Sequence, residues 1–175
     1  GTGAVREVGE GALQGGVGGA CGQDRAHASG ACGMGGGEAG DIDTTGEQQS
    51  LDALTGMHAL KTGALMGAAV RMGALCGNAA EAQLAQLDGF ADALGLAFQV
   101  RDDILDVEAS SEQLGKTAGK DQAQDKSTFP ALLGMDGAKA HLRELAARMQ
   151  SVLASHGEEA DALRALATLA VERDH

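Results

Sequence analysis

Three aspartates stand close together at the end of an otherwise apolar run. In the stretch GLAFQVRDDILD, residues 95–106, Asp102, Asp103 and Asp106 have the spacing D-D-x-x-D. At about 100° per residue, these carboxylates and Gln99 fall within one arc of a helix that is about 100° wide. Mg²⁺ takes carboxylate oxygens, keeps several waters and usually completes its octahedron with substrate phosphate. The spacing therefore suits the binding of a magnesium–diphosphate.

A solvated helix face is the alternative interpretation of the same stripe. Most of the remaining circumference is apolar, as Leu96, Phe98 and Val100 illustrate, and a narrow polar stripe on a buried helix can simply face water. Three like charges within two turns repel one another, so something usually compensates them. The spacing alone leaves both interpretations open.

Lysines that could bind a diphosphate lie on both sides of the aspartates. The stretch after them contains Lys116, Lys120 and Lys126, and Lys61 precedes them in a segment made largely of Ala, Gly, Leu and Met. On spacing alone, Lys61 could equally be a lysine that packs its aliphatic stem on a helix flank and keeps its ammonium in water.

The composition indicates a single all-α domain. The chain has 175 residues, of which 43% are apolar, and this length suits one compact domain. Aromatic residues are scarce, with three Phe and no Trp or Tyr. A core built from Ala, Leu and Gly favours closely packed helices over a β-branched sheet.

The charge and the hydropathy exclude several classes of partner. The net charge of −12 repels nucleic acid and anionic lipid headgroups. No apolar run approaches the length of a membrane span, and the opening GTGAVREVGEGALQGG lacks a basic region followed by an apolar one. We therefore expect a soluble cytoplasmic protein with no nucleic-acid partner.

The three cysteines predict neither a disulfide framework nor a zinc ribbon. Cys21, Cys32 and Cys76 are odd in number and contain no C-x-x-C pair. His27 lies between the first two, which leaves a zinc site as an alternative, but the spacing matches no ligand pattern. We interpret the cysteines as three reduced thiols.

Glycine divides the chain into two parts. It supplies 15 of the first 40 residues, and each glycine weakens a helix by about 1 kcal/mol. We expect residues 1–32 to be mobile, or helical only where they pack against something else. Residues 33–175 form the predicted domain.

The apolar periodicity of the remaining chain predicts four helices. We place them at about residues 51–76, 79–107, 130–155 and 158–171. Ser50 and Asn78 are the N-cap candidates of the first two, and Pro130 suits the first turn of the third. The polar stretch EASSEQLGKTAGKDQAQDKST is a long connection of a kind that often carries function.

Four motifs resemble, in chain order, those of the trans-isoprenyl diphosphate synthases, also called the polyprenyl synthetase family. FQVRDDILD resembles the family's second aspartate-rich motif, F-Q-x-x-D-D-x-x-D, and MHALKTGALMGAAVRMGAL resembles its K-T-G-A-L helix. LGKTAGKDQAQDKSTFPALLG and GMGGGEAGDID resemble two further family segments. The match covers about Gly33 to Val171 and is most similar to bacterial short-chain farnesyl diphosphate synthases. With four motifs, the magnesium interpretation of the aspartates is preferred.

This resemblance implies a fold and a reaction. The family's all-α bundle encloses a deep apolar cavity, with an allylic diphosphate held at its mouth by Mg²⁺ between two aspartate-rich motifs. The metal and lysines stabilise the departing diphosphate, and the double bond of isopentenyl diphosphate attacks the allylic carbocation. The expected function is that of a magnesium-dependent prenyltransferase of isoprenoid biosynthesis.

The resemblance also assigns roles to residues of this chain. By motif match, the Mg²⁺ ligands, direct or through water, are Asp102, Asp103 and Asp106. The catalytic lysines that contact the allylic diphosphate are Lys61 and Lys116. The substrate-binding positions are Asp41, Thr62, Gln99 and Lys126. Phe98 is expected to form part of the cavity wall.

The small residues of segment 64–74 have two interpretations. We expect them to be buried and to leave room between helices for an isoprenoid tail. The same composition is expected of any tightly packed helix pair.

The chain departs from the family pattern in its first half. It has no first aspartate-rich motif followed by R-R-G and no G-K-R-x-R segment, and Glu38 stands where the family usually has Gln. We therefore expect a partial bundle that lacks the N-terminal helices, exposes apolar flanks and is incomplete as an enzyme on its own.

Other functions compete with prenyl transfer. A non-catalytic module could bind magnesium–diphosphate or associate with a full-length synthase. An inactive remnant is a further alternative. The chain could also form a homodimer. A class I terpene cyclase shares the D-D-x-x-D chemistry but should lack the K-T-G-A-L and L-G-K…K-S-T segments, so it ranks last.

Overall fold

The chain is all-α, as predicted. The computed structural model describes residues 17–30, 33–36, 49–114 and 127–174, and this part contains no strand. The α-helices whose bounds are described are α1 (Val17–Ser29), α2 (Leu51–His58), α3 (Ala64–Cys76), α4 (Glu81–Leu114), α5 (Phe129–Leu153) and α6 (Asp161–Glu172). None of the described helices is both long and apolar enough to cross a membrane.

The predicted helix at 51–76 is confirmed, with an irregularity that the sequence analysis missed. Ser50 is its N-cap, and the Ser50 side chain accepts a hydrogen bond from the backbone N–H of Ala53 (3.2 Å). Between α2 and α3 the backbone forms a π-helical turn, Ala59–Gly63, so the three helical pieces follow one another without a break. Such turns are frequent at functional sites, and this one contains Lys61 and Thr62.

The turn between α3 and α4 corrects the predicted role of Asn78. Asn78 has a positive φ of 55° and ends α3 rather than capping α4. Its N–H bonds to the carbonyl of Leu75 (3.1 Å), and the N–H of Ala79 bonds to the carbonyl of Ala74 (3.0 Å). This pair of bonds is the Schellman motif, and asparagine tolerates the left-handed conformation that it requires.

Helix α4 begins and ends later than predicted. At its start the backbone N–H of Ala80 donates to Oε1 of Gln83 (2.9 Å), as in half of a capping box. It continues past the predicted end near Val107 to Leu114. The polar residues that follow Val107 include Glu and Gln, which are good helix formers, so the loss of apolar periodicity does not end the helix.

Helix α5 starts as predicted. Thr128 is its N-cap, its hydroxyl accepts from the N–H of Ala131 (3.3 Å), and Pro130 lies in the first turn. Gly134 interrupts the helix with φ 72°, a conformation that glycine adopts without a steric penalty. Helix α5 ends at Leu153, slightly before the predicted end.

A single arginine fixes the connection between α5 and α6. The Arg164 guanidinium donates to the carbonyls of Leu153 (2.9 Å), His156 (2.6 Å) and Gly157 (2.9 Å). A short 3₁₀ turn, Glu158–Ala160, then leads into α6. The backbone carbonyls at the end of α5 thereby gain the partners that a helix end otherwise lacks.

Helix α4 is the centre of the bundle. It contacts α2, the π-helical turn, α3, α5 and α6. Its fully buried side chains form the middle of the core and include Phe90, Ala97, Val100 and Ile104. The large buried partners from the other helices are Leu54, Phe129, Leu142, Leu145, Met149 and Leu153. The candidate site residues on α4 are therefore carried by the helix that forms the middle of the core.

The helix within the glycine-rich segment packs on a neighbour. Helix α1 lies against α3, which corresponds to the alternative that this segment is helical where it packs. Residues 1–16 and Cys32 lie outside the described part of the chain. Cys21 and Cys76 are free thiols, as predicted.

Helix α3 corrects the expectation that segment 64–74 is buried. No residue of α3 is buried, because the described helices cover this helix on only part of its circumference. Large apolar side chains of α3 and of other described segments are exposed, as we expected of an incomplete bundle. They are Met34, Leu51, Leu60, Leu65, Leu132, Leu166 and Leu169.

A close backbone contact joins the π-helical turn to α4. A Cβ built on Gly95 would lie 2.7 Å from Cα of Gly63. Real Cβ atoms essentially never approach so closely, and the obstacle is backbone that cannot rotate away. The two helices can therefore lie at this distance only with glycine at position 95.

We predict that Gly95→Ala lowers the free energy of unfolding by about 1–3 kcal/mol, because the added methyl group overpacks this contact. Gly73→Ala is the matched control: its Cβ would meet nothing within 4 Å, and alanine should stabilise the helix by about 0.5–1 kcal/mol. Urea denaturation of both variants measures the difference. Equal stabilities would contradict the contact.

Candidate functional site

Two contacts set the register between α4 and the helices that precede it. Gly63 faces Gly95, and Arg71 Nη1 binds Oδ2 of Asp88 at 2.6 Å. In this antiparallel register, Lys61 lies level with the α4 segment near Ala97. At 1.5 Å per residue, that level is about 8 Å along the axis from Asp102. The π-helical turn and the aspartate-rich segment are thus neighbours.

The three aspartates have different surroundings. Asp102 and Asp106 are four residues apart on one face of α4. Asp106 is exposed, and the Asp102 side chain is 46% exposed. Asp103 points about 100° away and is buried. Two carboxylates remain accessible to a ligand, and the third faces the core.

Asp103 is held by two hydrogen bonds inside the bundle. Its Oδ2 accepts from the backbone N–H of Phe129 (2.9 Å), and its Oδ1 accepts from Nε2 of Gln99 (3.2 Å). Burial raises the pKa of the Asp103 carboxyl above its usual value, while these two hydrogen bonds act in the opposite direction. In this arrangement Asp103 joins α4 to the first residue of α5. Its role as a magnesium ligand stays a prediction.

The ring of Phe129, whose N–H binds Asp103, lies between two histidine rings. The fully buried Phe129 ring is 5.8 Å from the ring of His58 and 5.9 Å from that of His141, measured between centroids. These contacts hold the Phe129 backbone where its N–H reaches Asp103. The sequence analysis missed His58, although its spacing from Leu54 and Lys61 places all three on one side of a helix.

The end of α6 is fastened to the aspartate-rich segment. Nη2 of Arg173 donates to Oδ1 of Asp102 (2.8 Å) and to the carbonyl of Phe98 (3.1 Å), and its guanidinium lies 3.9 Å from the Phe98 ring centroid. Nε of Arg101 donates in return to the carbonyl of Arg173 (2.7 Å). Arg173 therefore compensates part of the negative charge of the stripe.

Arg173 was also missed by the sequence analysis. The signal that could have found it is its position, as one cation in the acidic ending VERDH. An aspartate stripe needs a compensating charge, and an arginine can supply it as well as a metal ion or a lysine can.

An apolar cavity of about 530 Å³ opens beside Arg173. It lies between α3, α4 and α6, and its wall includes Met66, Val70, Leu94 and Leu169. Phe98 also lines it. The small residues of α3 thus form part of a half-open wall rather than a buried seam.

The predicted site residues are only partly described. Gln99 contacts Asp103, and Lys61 and Thr62 lie half-buried on the π-helical turn. The others lie outside the described residues: Asp41, Lys116 and Lys126. Glu38 and Lys120 also lie outside them.

Two accessible carboxylates suit magnesium better than a metal that needs a complete protein cage. Within residues 17–30, 33–36, 49–114 and 127–174, no group of three or more His, Cys, Asp or Glu side chains could hold a metal ion. Mg²⁺ is usually bound through one or two carboxylates, with waters and substrate phosphate as the other ligands. Asp102 and Asp106 therefore fit Mg²⁺ together with a diphosphate.

Comparison with known proteins places the chain in a family. The family model for polyprenyl synthetase matches residues 27–169. The farnesyl diphosphate synthase of Escherichia coli (strain K12) is 47% identical over 153 residues, which are 85% of this chain and 51% of that protein. That of Geobacillus stearothermophilus is 42% identical over 150 residues, which are 86% of this chain and 50% of that protein. The chain belongs to the polyprenyl synthetase family.

A solved structure agrees with this assignment. The crystal structure of a putative farnesyl-diphosphate synthase from Marinomonas sp. MED121 is 38% identical and superposes with a TM-score of 0.78. The match covers 89% of this chain and 53% of that one. The chain spans about half the length of the curated relatives it matches.

We predict that Asp103→Ala lowers the free energy of unfolding by about 1–3 kcal/mol, because it leaves the buried N–H of Phe129 without its acceptor. Asp103→Asn is the control: it keeps an acceptor oxygen and adds no buried charge, so it should cost less than about 1 kcal/mol. Chemical denaturation at neutral pH compares them. The hydrogen bond would be unimportant if both variants were as stable as the wild type.

We predict that Arg173→Ala increases the affinity for Mn²⁺, used as a probe for Mg²⁺, by about fivefold, because the ion no longer displaces an ion pair worth about 1 kcal/mol. Arg143→Ala, at an exposed position on α5, controls for the loss of one positive charge. Calorimetric titration without diphosphate measures both. An equal gain in the two variants would attribute the effect to net charge.

Proposed function

We propose that this chain carries the second aspartate-rich half of a magnesium-dependent prenyltransferase that condenses an allylic diphosphate with isopentenyl diphosphate. The observation that supports it most is the pair Asp102 and Asp106, accessible on one face of α4. This face adjoins the π-helical turn with Lys61 and a cavity with apolar walls. The family match, residues 27–169, includes both aspartates and the π-helical turn.

The proposed binding site divides the substrate into a charged and an apolar part. Asp102 and Asp106 would hold Mg²⁺, which when bound neutralises the diphosphate and makes it a better leaving group. Lys61 and Lys116 would contact the same diphosphate. The isoprenoid tail would lie along the apolar wall that Met66, Leu94 and Phe98 help to form.

The remaining predicted residues would orient the substrate. Gln99, whose amide is directed to Asp103, and Thr62 would position the allylic carbon. Lys126 and Asp41 would complete the polar lining. Asp103 would act on the reaction mainly by holding α5 against α4, with direct or water-mediated contact to the metal as the further prediction.

Catalysis is proposed for an assembly rather than for these residues alone. The first aspartate-rich motif of the family is absent from this sequence. Because catalysis depends on a preorganised site, the loss of one wall should cost several kcal/mol of transition-state stabilisation. The chain should therefore bind magnesium–diphosphate on its own. It should transfer prenyl groups only when the other half of the site is supplied.

A second candidate function is that of a non-catalytic partner of a full-length synthase. The exposed leucines of α2, the π-helical turn and α3, namely Leu51, Leu60 and Leu65, support it. Exposed apolar surface of this kind often marks a protein–protein contact. Co-purification with a full-length family member, without any gain in prenyl transfer, would favour this candidate.

The binding half of the proposal predicts that an allylic diphosphate binds the purified chain with Mg²⁺ and not with excess EDTA. Asp102→Ala should weaken this binding at least about tenfold, since it removes one of two metal ligands. Asp136→Ala removes an exposed aspartate of α5 and should leave the affinity unchanged. Calorimetry measures all three proteins.

Metal-independent binding, or an equal loss in both variants, would contradict the assigned site. Circular dichroism on each variant separates a lost ligand from a lost fold.

A further inference from the structure

Helices α1 and α3 pack against each other in antiparallel directions. Oδ2 of Asp24 lies 3.4 Å from Nε of Arg71, and Ala28 shares the wall of a second cavity with Ala64 and Gly67. Residues later in α1 thus face residues earlier in α3. Residues before Asp24 must then face the last turn of α3.

This packing places Cys21 opposite Cys76. Cys21 lies three residues before Asp24 and on the same side of α1, since Cys21, Asp24 and Ala28 have the spacing i, i+3, i+7. Cys76 lies five residues beyond Arg71, so the two cysteines differ by only about 3 Å in their level along the helices. Burial raises the pKa of the Cys21 thiol, and the Cys76 thiol is close enough to raise it further.

Both cysteines are at least partly exposed, and the residues next to them in sequence are small. Cys21 is half-buried and Cys76 is exposed, and both are free thiols. Glycines and alanines surround them in the stretches GGACG of α1 and ALCGN of α3. Small residues allow two helix backbones to approach to the Cα separation of about 4.4–6.8 Å that a disulfide requires.

We propose that Cys21 and Cys76 are a reversible disulfide site that links α1 covalently to α3. The oxidant is a low-molecular-weight disulfide such as glutathione disulfide. The reaction would be a thiol–disulfide exchange, in which the more accessible Cys76 reacts first and Cys21 second. This proposal is independent of the proposed function.

The exchange proceeds in two balanced steps. The Cys76 thiolate attacks one sulfur of glutathione disulfide, which forms a mixed disulfide and releases one glutathione thiolate. The Cys21 thiolate then attacks the Cys76 sulfur, forms the Cys21–Cys76 bond and releases the second glutathione thiolate. Two protein thiols lose two electrons and two protons, and one glutathione disulfide gains them.

The order of the two steps follows from the environment of Cys21. Burial, and then the neighbouring Cys76 thiol and Asp24, raise the pKa of the Cys21 thiol above its usual value. Cys21 is therefore a poor first nucleophile, because less of it is thiolate at neutral pH. Once the mixed disulfide is adjacent, proximity compensates for this.

The disulfide would change how firmly α1 is attached. In the reduced form, the described residues of α1 and α3 are joined by the solvent-accessible ion pair Asp24–Arg71, and such pairs contribute little to stability. A covalent bond between residues 21 and 76 would restrict the unfolded chain and keep α1 on α3. Oxidation would thereby stiffen the helix that follows the π-helical turn.

The test is to equilibrate the full chain in glutathione redox buffers and map its disulfides. Trypsin cleaves after Arg6, Arg25, Lys61 and Arg71, so the three cysteines fall in three different peptides. Mass spectrometry without reduction should find the Cys21 and Cys76 peptides linked in most molecules. Oxidation should raise the melting temperature by about 5–10 °C.

Three variants provide the controls. Cys32→Ser should keep both the linked peptide and the thermal shift, whereas Cys21→Ser and Cys76→Ser should lose both. Dithiothreitol should reverse the oxidation in the wild type. Only glutathionylated single thiols, or a bond that joins Cys32 to either partner, would overturn the proposal. If a serine variant does not fold, the linked peptide of the wild type decides alone.

Discussion

The contact between Gly63 and Gly95 is the constraint on which the candidate site depends. With no side chain at position 95, the backbone of α4 lies directly on the π-helical turn, and the Arg71–Asp88 pair fixes the same register further along. Lys61 and Thr62 are thereby carried on the element that touches α4 one to two turns before the aspartates. The site belongs to two helices held at backbone distance rather than to a loop, which gives its groups a defined geometry.

The three aspartates differ in burial and therefore in their expected roles. Asp103 faces the core, where the Phe129 N–H and Gln99 hold it, so it stabilises the junction between α4 and α5. Asp102 and Asp106 face outward, and Arg173 provides a counter-charge for the first. A cation that binds Asp102 must compete with this arginine, so metal binding and the attachment of the α6 end are coupled.

Sequence reasoning predicted the helices well where a local signal exists. Ser50 and Pro130 act at short range, and their helices start as predicted. The prediction of Asn78 as an N-cap was wrong because asparagine is favourable both at an N-cap and in the left-handed conformation that ends a helix. Only the backbone conformation distinguishes the two. Arg173 binds Asp102 although the two are 71 positions apart in sequence. The periodicity of apolar residues cannot predict a contact between such distant residues. The exposure of α3 also could not be predicted, because it depends on which other helices pack against it.

The most direct measurement is a crystal structure of the chain with Mn²⁺ and an allylic diphosphate, with the metal located by anomalous scattering. The account predicts a Mn²⁺ peak within coordination distance, about 2.2 Å, of carboxylate oxygens of Asp102 or Asp106, with the diphosphate on the side of Lys61. A peak at the other acidic surface, beside Asp24 and Asp88 around the cavity on α1, would contradict it. So would a diphosphate bound away from α4.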